Sequence, residues 1–240
     1  MNSTVPSGNQ TKNSLPRLIT ELLICIILPT LILKKLSGSE HLGVSYSLIF
    51  ALSLPLAFAL YRFQTERKFG LVPILGFISI LLTGTIGLLK LDAQYIAIKE
   101  AAIPFTIGVF TLISLKTPYP LVKTFLYNDM VMQVDKIEAA LVQHNNQMQF
   151  EKVLVNATYL LAFSFLLSTI LNYILAKILV TAQSGTEEFN NQLGTMTLLS
   201  YPVIVIPSMI IMIYAMYYLF KQIKLLTHLD LENILKQAQS

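Results

Sequence analysis

Gly70 to Leu89 is a run of 20 residues without a charge, and no other feature limits the fold of this chain as tightly. As a helix it rises about 30 Å, the thickness of a bilayer's hydrocarbon core. Five further apolar runs are of comparable length: Leu18–Leu36, Gly43–Tyr61, Ile96–Leu115, Val153–Val180 and Met196–Phe220. An unpaired backbone N–H or C=O in lipid costs several kcal/mol, so such runs cross as helices or as closed barrels. The alternating segments of about ten residues that a barrel needs do not occur. The expectation is an all-α, polytopic bundle of six transmembrane helices.

Composition agrees. The chain is 54% hydrophobic and 12% charged, against about a quarter charged in soluble domains, and its mean hydropathy is +0.64. A net charge of +4 invites a nucleic-acid reading, but the 17 Lys and Arg sit at the ends of the apolar runs. That is orientation charge rather than a binding stripe, so no nucleic acid is expected. The one cysteine, Cys25, lies mid-span. It forms no internal disulfide, and no Cys/His spacing suits a metal, so neither a metal nor a cofactor is expected.

In chain order, 1–14 reads as a disordered polar tail and 15–115 as transmembrane helices one to four. Residues 116–152 form a connector, 153–224 hold helices five and six with a short outer helix, and 225–240 are a tail. The first run ends in Lys34-Lys35 rather than a small-residue cleavage site, so it reads as a span and not as a signal peptide. Three Asn-X-Thr/Ser matches, at Asn2, Asn9 and Asn156, read as chance. In the connector, Met130, Val134, Ile137 and Leu141 recur at helical spacing, an amphipathic helix for the bilayer surface, a partner or the protein itself. Ser184-Gly185-Thr186-Glu187 has the form of a capping box with Ser184 as the cap. With both termini inside, the inner segments carry 12 Lys and Arg and the outer segments 5, which sets an N-in, C-in orientation.

Chemistry has few places to start. No nucleophile elbow, P-loop, dinucleotide fingerprint or zinc-protease helix occurs, and His41, His144 and His228 fall in separate loops, so no catalytic residue is named and no enzyme is expected. The candidates are charges at or inside the spans: Glu21, Asp92, Lys99 and Glu100. From Ala101 to Leu115 there are only 15 uncharged residues, about 22 Å of helix. The fourth span must therefore start near Ile96, placing Lys99 and Glu100 at the membrane boundary. Asp92 is read as the cap of that helix, with Lys99 seven residues on and able to brace it. Prolines 29, 104, 202 and 207 (Pro29, Pro104, Pro202, Pro207) interrupt spans one, four and six. Ser164, Ser168 and Asn172 make a small-polar seam at i, i+4 and i+8, suited to helix packing or to lining a solute path. Gly76, Gly84 and Gly87 allow close helix approach.

Two resemblances follow. Leu82-Thr83-Gly84-Thr85, Leu88-Leu89, Asp92, Tyr95-Ile96 and Lys99 resemble, locally, the core pattern of the intracellular septation protein A family. That resemblance implies a bacterial inner (plasma) membrane protein with a non-enzymatic, structural or interaction role in cell-envelope or septation processes. Over most of its length the chain is similar to a group of uncharacterised six-span bacterial inner-membrane proteins. The matching pieces are Glu21-Leu22-Leu23 with Pro29, Lys99 to Pro104, Tyr119 to Lys123, Ser184 to Glu187 with Phe189-Asn190, and Leu226-Thr227 with Leu229. Some of that group are labelled transporters of the major facilitator type, which implies as the alternative a small-solute transporter or permease acting as a dimer. Expected partners are the bilayer and a second copy of the chain or envelope-assembly proteins.

Overall fold

The computed structural model describes residues 19–66, 71–117, 121–127, 129 and 132–235. Every regular element among them is helical apart from one isolated antiparallel bridge, Met132 to Leu235. We number the helices α1 (Leu28–Lys35), α2 (Gly43–Glu66), α3 (Leu71–Leu88), α4 (Gln94–Ser114), α5 (Leu121–Phe125), α6 (Val134–Gln143), α7 (Gln147–Leu179), α8 (Glu187–Ser200), α9 (Ile206–Thr227) and α10 (Leu231–Ile234). Four stretches are long and apolar enough to cross a membrane: Gly43–Tyr61, Gln94–Ser114, Gln147–Leu179 and Glu187–Thr227. Ile74–Leu88 is a shorter apolar helix. Only 17% of the Gly43–Tyr61 window is buried by the rest of the chain. Its Tyr46, Phe50 and Tyr61 are more than half exposed, a surface that water would not tolerate and lipid does. The molecule is a multi-pass membrane protein.

Several boundaries differ from the sequence reading. The second span, read as Gly43–Tyr61, stays helical as far as Glu66, because nothing in Tyr61 to Glu66 breaks a helix and Thr65 bonds back to the Tyr61 carbonyl at 2.9 Å. Helix α7 starts at Gln147, not Val153, and runs 33 residues, about 50 Å. The short outer helix and the sixth span form one helical rod, Glu187–Thr227. Pro202 and Pro207 do not break it, since a π-helical turn, Tyr201–Val205, takes up the strain. A second such turn, Leu23–Ile27, closes on Leu28, one residue before Pro29. In both places an i→i+5 bond widens the turn where the proline ring would crowd the preceding carbonyls. Pro55 and Pro104, by contrast, sit inside α-helix proper.

The chain divides into two compact units, Met1–Ile96 with Lys177–Leu199, and Ala97–Ala176 with Ser200–Ser240. In the first, α1 packs on α2 and α2 on α3. Gly87 and Gly84 let α3 approach α2. A Cβ at Gly87 would clash with Leu48 and lie 3.4 Å from Phe189, and at Gly84 it would be 3.2 Å from Leu52, whereas Gly76 faces open space. Segments 36–42, 89–93 and 180–186 gather at one end of this unit. The Lys90 side chain lies over Gly185, and Glu187 lies beside Gly38.

The second unit holds a buried core at the connector. Val122, Leu126, Met132, Ile137 and Leu141 pack with Phe150, Leu154 and Ala157 of α7 and with Ala215, Leu219 and Ile223 of α9. Ile234 of α10 seals it, held by the Gln133 N–H on its carbonyl at 2.9 Å. The apolar face of α6 is therefore spent on its own protein, with Ile137 fully buried and Leu141 3% exposed, so that face is closed to the bilayer and to partners. Met130 and Tyr119, part of the connector patterns, and Arg17 with the 1–14 tail lie outside the described residues.

Candidate functional site

Glu100 and Lys99 stand on the first two turns of α4. The Lys99 ammonium donates to Glu100 Oε1 at 2.7 Å, and the two side chains are 6% and 25% exposed. Neighbours on a helix do not share a face, so the pair lies across the helix surface rather than along it. Four residues past Glu100, Pro104 has no N–H to give the Glu100 carbonyl. Asp92 stands at the helix start, its Oδ1 accepting the Gln94 N–H at 2.8 Å. Glu21 sits half-buried two residues before the Leu23–Ile27 π-turn, in the first unit.

The small-polar seam divides in three dimensions. Ser164 leaves its helix and donates to the Ser208 carbonyl at 2.9 Å, joining α7 to α9 just after Pro207. Asn172 turns inward on its own helix, to the Ser168 carbonyl at 2.8 Å and the Ser168 hydroxyl at 3.3 Å. Beside this seam, α4 and α7 flank a groove of about 270 Å³ lined by Pro104, Phe105, Gly108, Ala162, Phe163 and Leu166 among others. Its walls are almost wholly apolar. Gly108 permits the close approach, since a Cβ there would stand 3.1 Å from Phe165 Cβ.

Two clusters escaped the sequence reading. The first is a buried polar knot in the first unit. The Asn190 amide, fully buried on α8, donates towards Ser37 Oγ (3.0 Å), Ser47 Oγ (3.1 Å) and the Val44 carbonyl (2.9 Å). The two serines meet at 2.8 Å, and Ser37 also reaches the Leu33 carbonyl at 2.7 Å. Four residues along, Gly194 lets the α8 backbone close on α1, within 3.3 Å of the Thr30 carbonyl for an added Cβ. The second is a histidine pair. His144 was read as an isolated loop residue, but its ring lies 5.0 Å from that of His228, edge to face at 70°. These residues are 84 positions apart, and no local pattern announces their meeting.

The helix cap also moves. Thr186, not Ser184, caps α8: its Oγ accepts the Phe189 N–H at 3.2 Å and donates to the Gln183 carbonyl at 2.7 Å. Gly185, at φ +81, turns the chain between them, and Ser184 is buried, its hydroxyl without a partner among the described residues. The residue at N3 is Phe189, so the reciprocal half of a capping box is missing.

Tyr127, in the connector, is 4% exposed and packs edge-on to Phe150 at 5.1 Å, with no hydrogen-bond partner for its hydroxyl among the described residues. Burial, reinforced by the carboxylates of Glu138, Asp129 and Asp135, pushes its phenol well above the usual range. A proton held more tightly in the folded than in the unfolded chain favours folding below the ordinary phenol value, and that advantage fades as pH rises through it. Tyr127→Phe is expected to leave stability unchanged or raise it by up to about 1 kcal/mol near neutrality. It should also abolish the alkaline loss above about pH 10, read by thermal unfolding in detergent across pH.

Among the described residues no group of three or more His, Cys, Asp or Glu side chains is placed to hold a metal. No protein-family model, curated protein or solved structure matches the chain at a significant level.

Proposed function

We propose that the chain is a six-span bacterial inner-membrane protein, both ends cytoplasmic, that acts by lateral packing with itself or with envelope-assembly proteins and catalyses no reaction. The observation that carries this reading is where the polar groups of the spans are spent. Lys99 bonds Glu100, Asn172 bonds its own helix, Ser164 bonds the α9 backbone, and Asn190 ties α8 to the Ser37–Ser47 pair. The spans are left to offer apolar surface, with Phe110, Phe163, Ile178 and Ile213 each more than half exposed. The clustering of segments 36–42, 89–93 and 180–186 supports six crossings, because alternate loops of an up-and-down bundle share one side. The septation-like stretch, Leu82 to Lys99, supports an envelope role by resemblance.

Photocrosslinking amino acids placed at Phe110, Phe163, Ile178 and Ile213 in native membranes test the reading. Defined adducts to a second copy or to an envelope protein are expected, with a division or envelope defect on deletion. Silence at all four sites with normal envelopes would count against it.

A dimeric small-solute transporter is the second reading. It is favoured by a buried ammonium inside a span, Lys99, next to a carbonyl that Pro104 cannot serve. Uptake into proteoliposomes that survives both Glu100→Gln and Glu21→Gln would remove its basis.

A further inference from the structure

The histidine pair stands outside the spans and outside every role given above. We propose that His144 and His228 form a binding site for a divalent transition-metal ion of the zinc, nickel and copper class. Both rings are exposed and open to solvent.

Geometry is the first argument. With metal–nitrogen bonds of about 2.0 Å and ring nitrogens about 1.1 Å from the ring centre, two imidazoles on one tetrahedral ion have centres about 5 Å apart. The observed separation is 5.0 Å. The backbone already holds that spacing. His144 is the C-cap of α6, its N–H on the Ala140 carbonyl. His228 is the left-handed C-cap of α9, φ 57, its N–H on the Lys224 carbonyl at 3.0 Å. Asn146 clamps the two ends together, its amide donating to the Leu226 carbonyl at 2.8 Å.

Electrostatics is the second argument. Two helix C-termini converge here, each carrying roughly half a negative charge, partly offset by the start of α7 at Gln147. Lys224 stands in the last turn of α9 but is shared with Asp230 at 3.6 Å. The last turn of α6 has no basic residue. A cation between the rings answers both ends. Neutral imidazole is the common ligand of these metals. Because no third His, Cys, Asp or Glu joins the pair among the described residues, water completes the coordination.

Copper(II) titrated into the tag-free full chain in detergent, followed by EPR and by thermal unfolding, tests the site. One ion per chain with coordination by two imidazole nitrogens is expected, together with a metal-dependent rise in Tm. His144→Ala and His228→Ala should each lower affinity by more than about tenfold and lose the two-nitrogen signature, and neither should show the metal-dependent rise in Tm. His41→Ala, in the first unit, should bind as the parent does. The proposal is overturned if the parent chain takes up no copper, if either variant binds like it, or if His41→Ala weakens binding as much.

Discussion

Asn190→Asp is expected to be among the most damaging single substitutions in the first unit, costing about 3 kcal/mol. The change removes both amide N–H donors and sets a carboxylate against the Val44 carbonyl in a place with no solvent. Asn190→Ala, which deletes the donors without burying a charge, should cost about 2 kcal/mol. Ser37 and Ser47 retain each other and the Leu33 and Val44 carbonyls, and the Asn190 Oδ1, itself unpartnered in the knot, is removed. Reversible unfolding in mixed micelles reads both. An aspartate variant within about 0.5 kcal/mol of the parent would mean the knot does not hold α8 to the Ser37–Ser47 segment.

The second large effect falls on α4 and bears on function. Glu100→Ala is expected to destabilise by about 2–3 kcal/mol, because it takes the carboxylate at 2.7 Å away from an ammonium that is 6% exposed. That is the lower end for buried pairs, since Glu100 keeps 25% of its surface in solvent or headgroups. Replacing both partners, Lys99→Met with Glu100→Leu, should recover most of the loss, as apolar pairs of similar volume often do. A packing protein with this double change keeps its crosslinking partners. A transporter that uses the pair loses uptake while remaining folded. Stability and activity measured on the same double variant therefore separate the two readings.

Much of the architecture could be read from residue order, because lipid imposes a coarse rule. Runs such as Gly43–Tyr61 have one stable form in a bilayer, and their length is fixed by its thickness. The connector helix was legible for a similar reason, since Val134, Ile137 and Leu141 share a face at helical spacing, yet their periodicity did not say what they would cover. Prolines announced irregularity at Pro29 and Pro207 but not its form. Whether a helix breaks, bends or widens by one residue depends on neighbours, and here it widened. The cap at Thr186 was misplaced by two residues because Gly185 adopts a left-handed turn that shifts the start of α8. Asn190 sits on a helix of low amphipathicity among Glu187, Glu188 and Gln192, where a polar residue reads as solvent-facing. Only the fold brings Ser37 and Ser47 to it from about 150 positions away. His144 and His228 were invisible as a pair for the same reason.

The proposed six-span arrangement puts alternate loops on opposite sides of the bilayer, and impermeant maleimide labelling of single cysteines tests this most directly. In a Cys25→Ser background, cysteines at Ser39, Leu91 and Gln183 are expected to react from outside intact cells. Cysteines at Gln64, Gln143 and Glu232 should react only after the membrane is opened. Labelling of either set in the opposite sense, or a mixture within one set, would contradict the six-span arrangement.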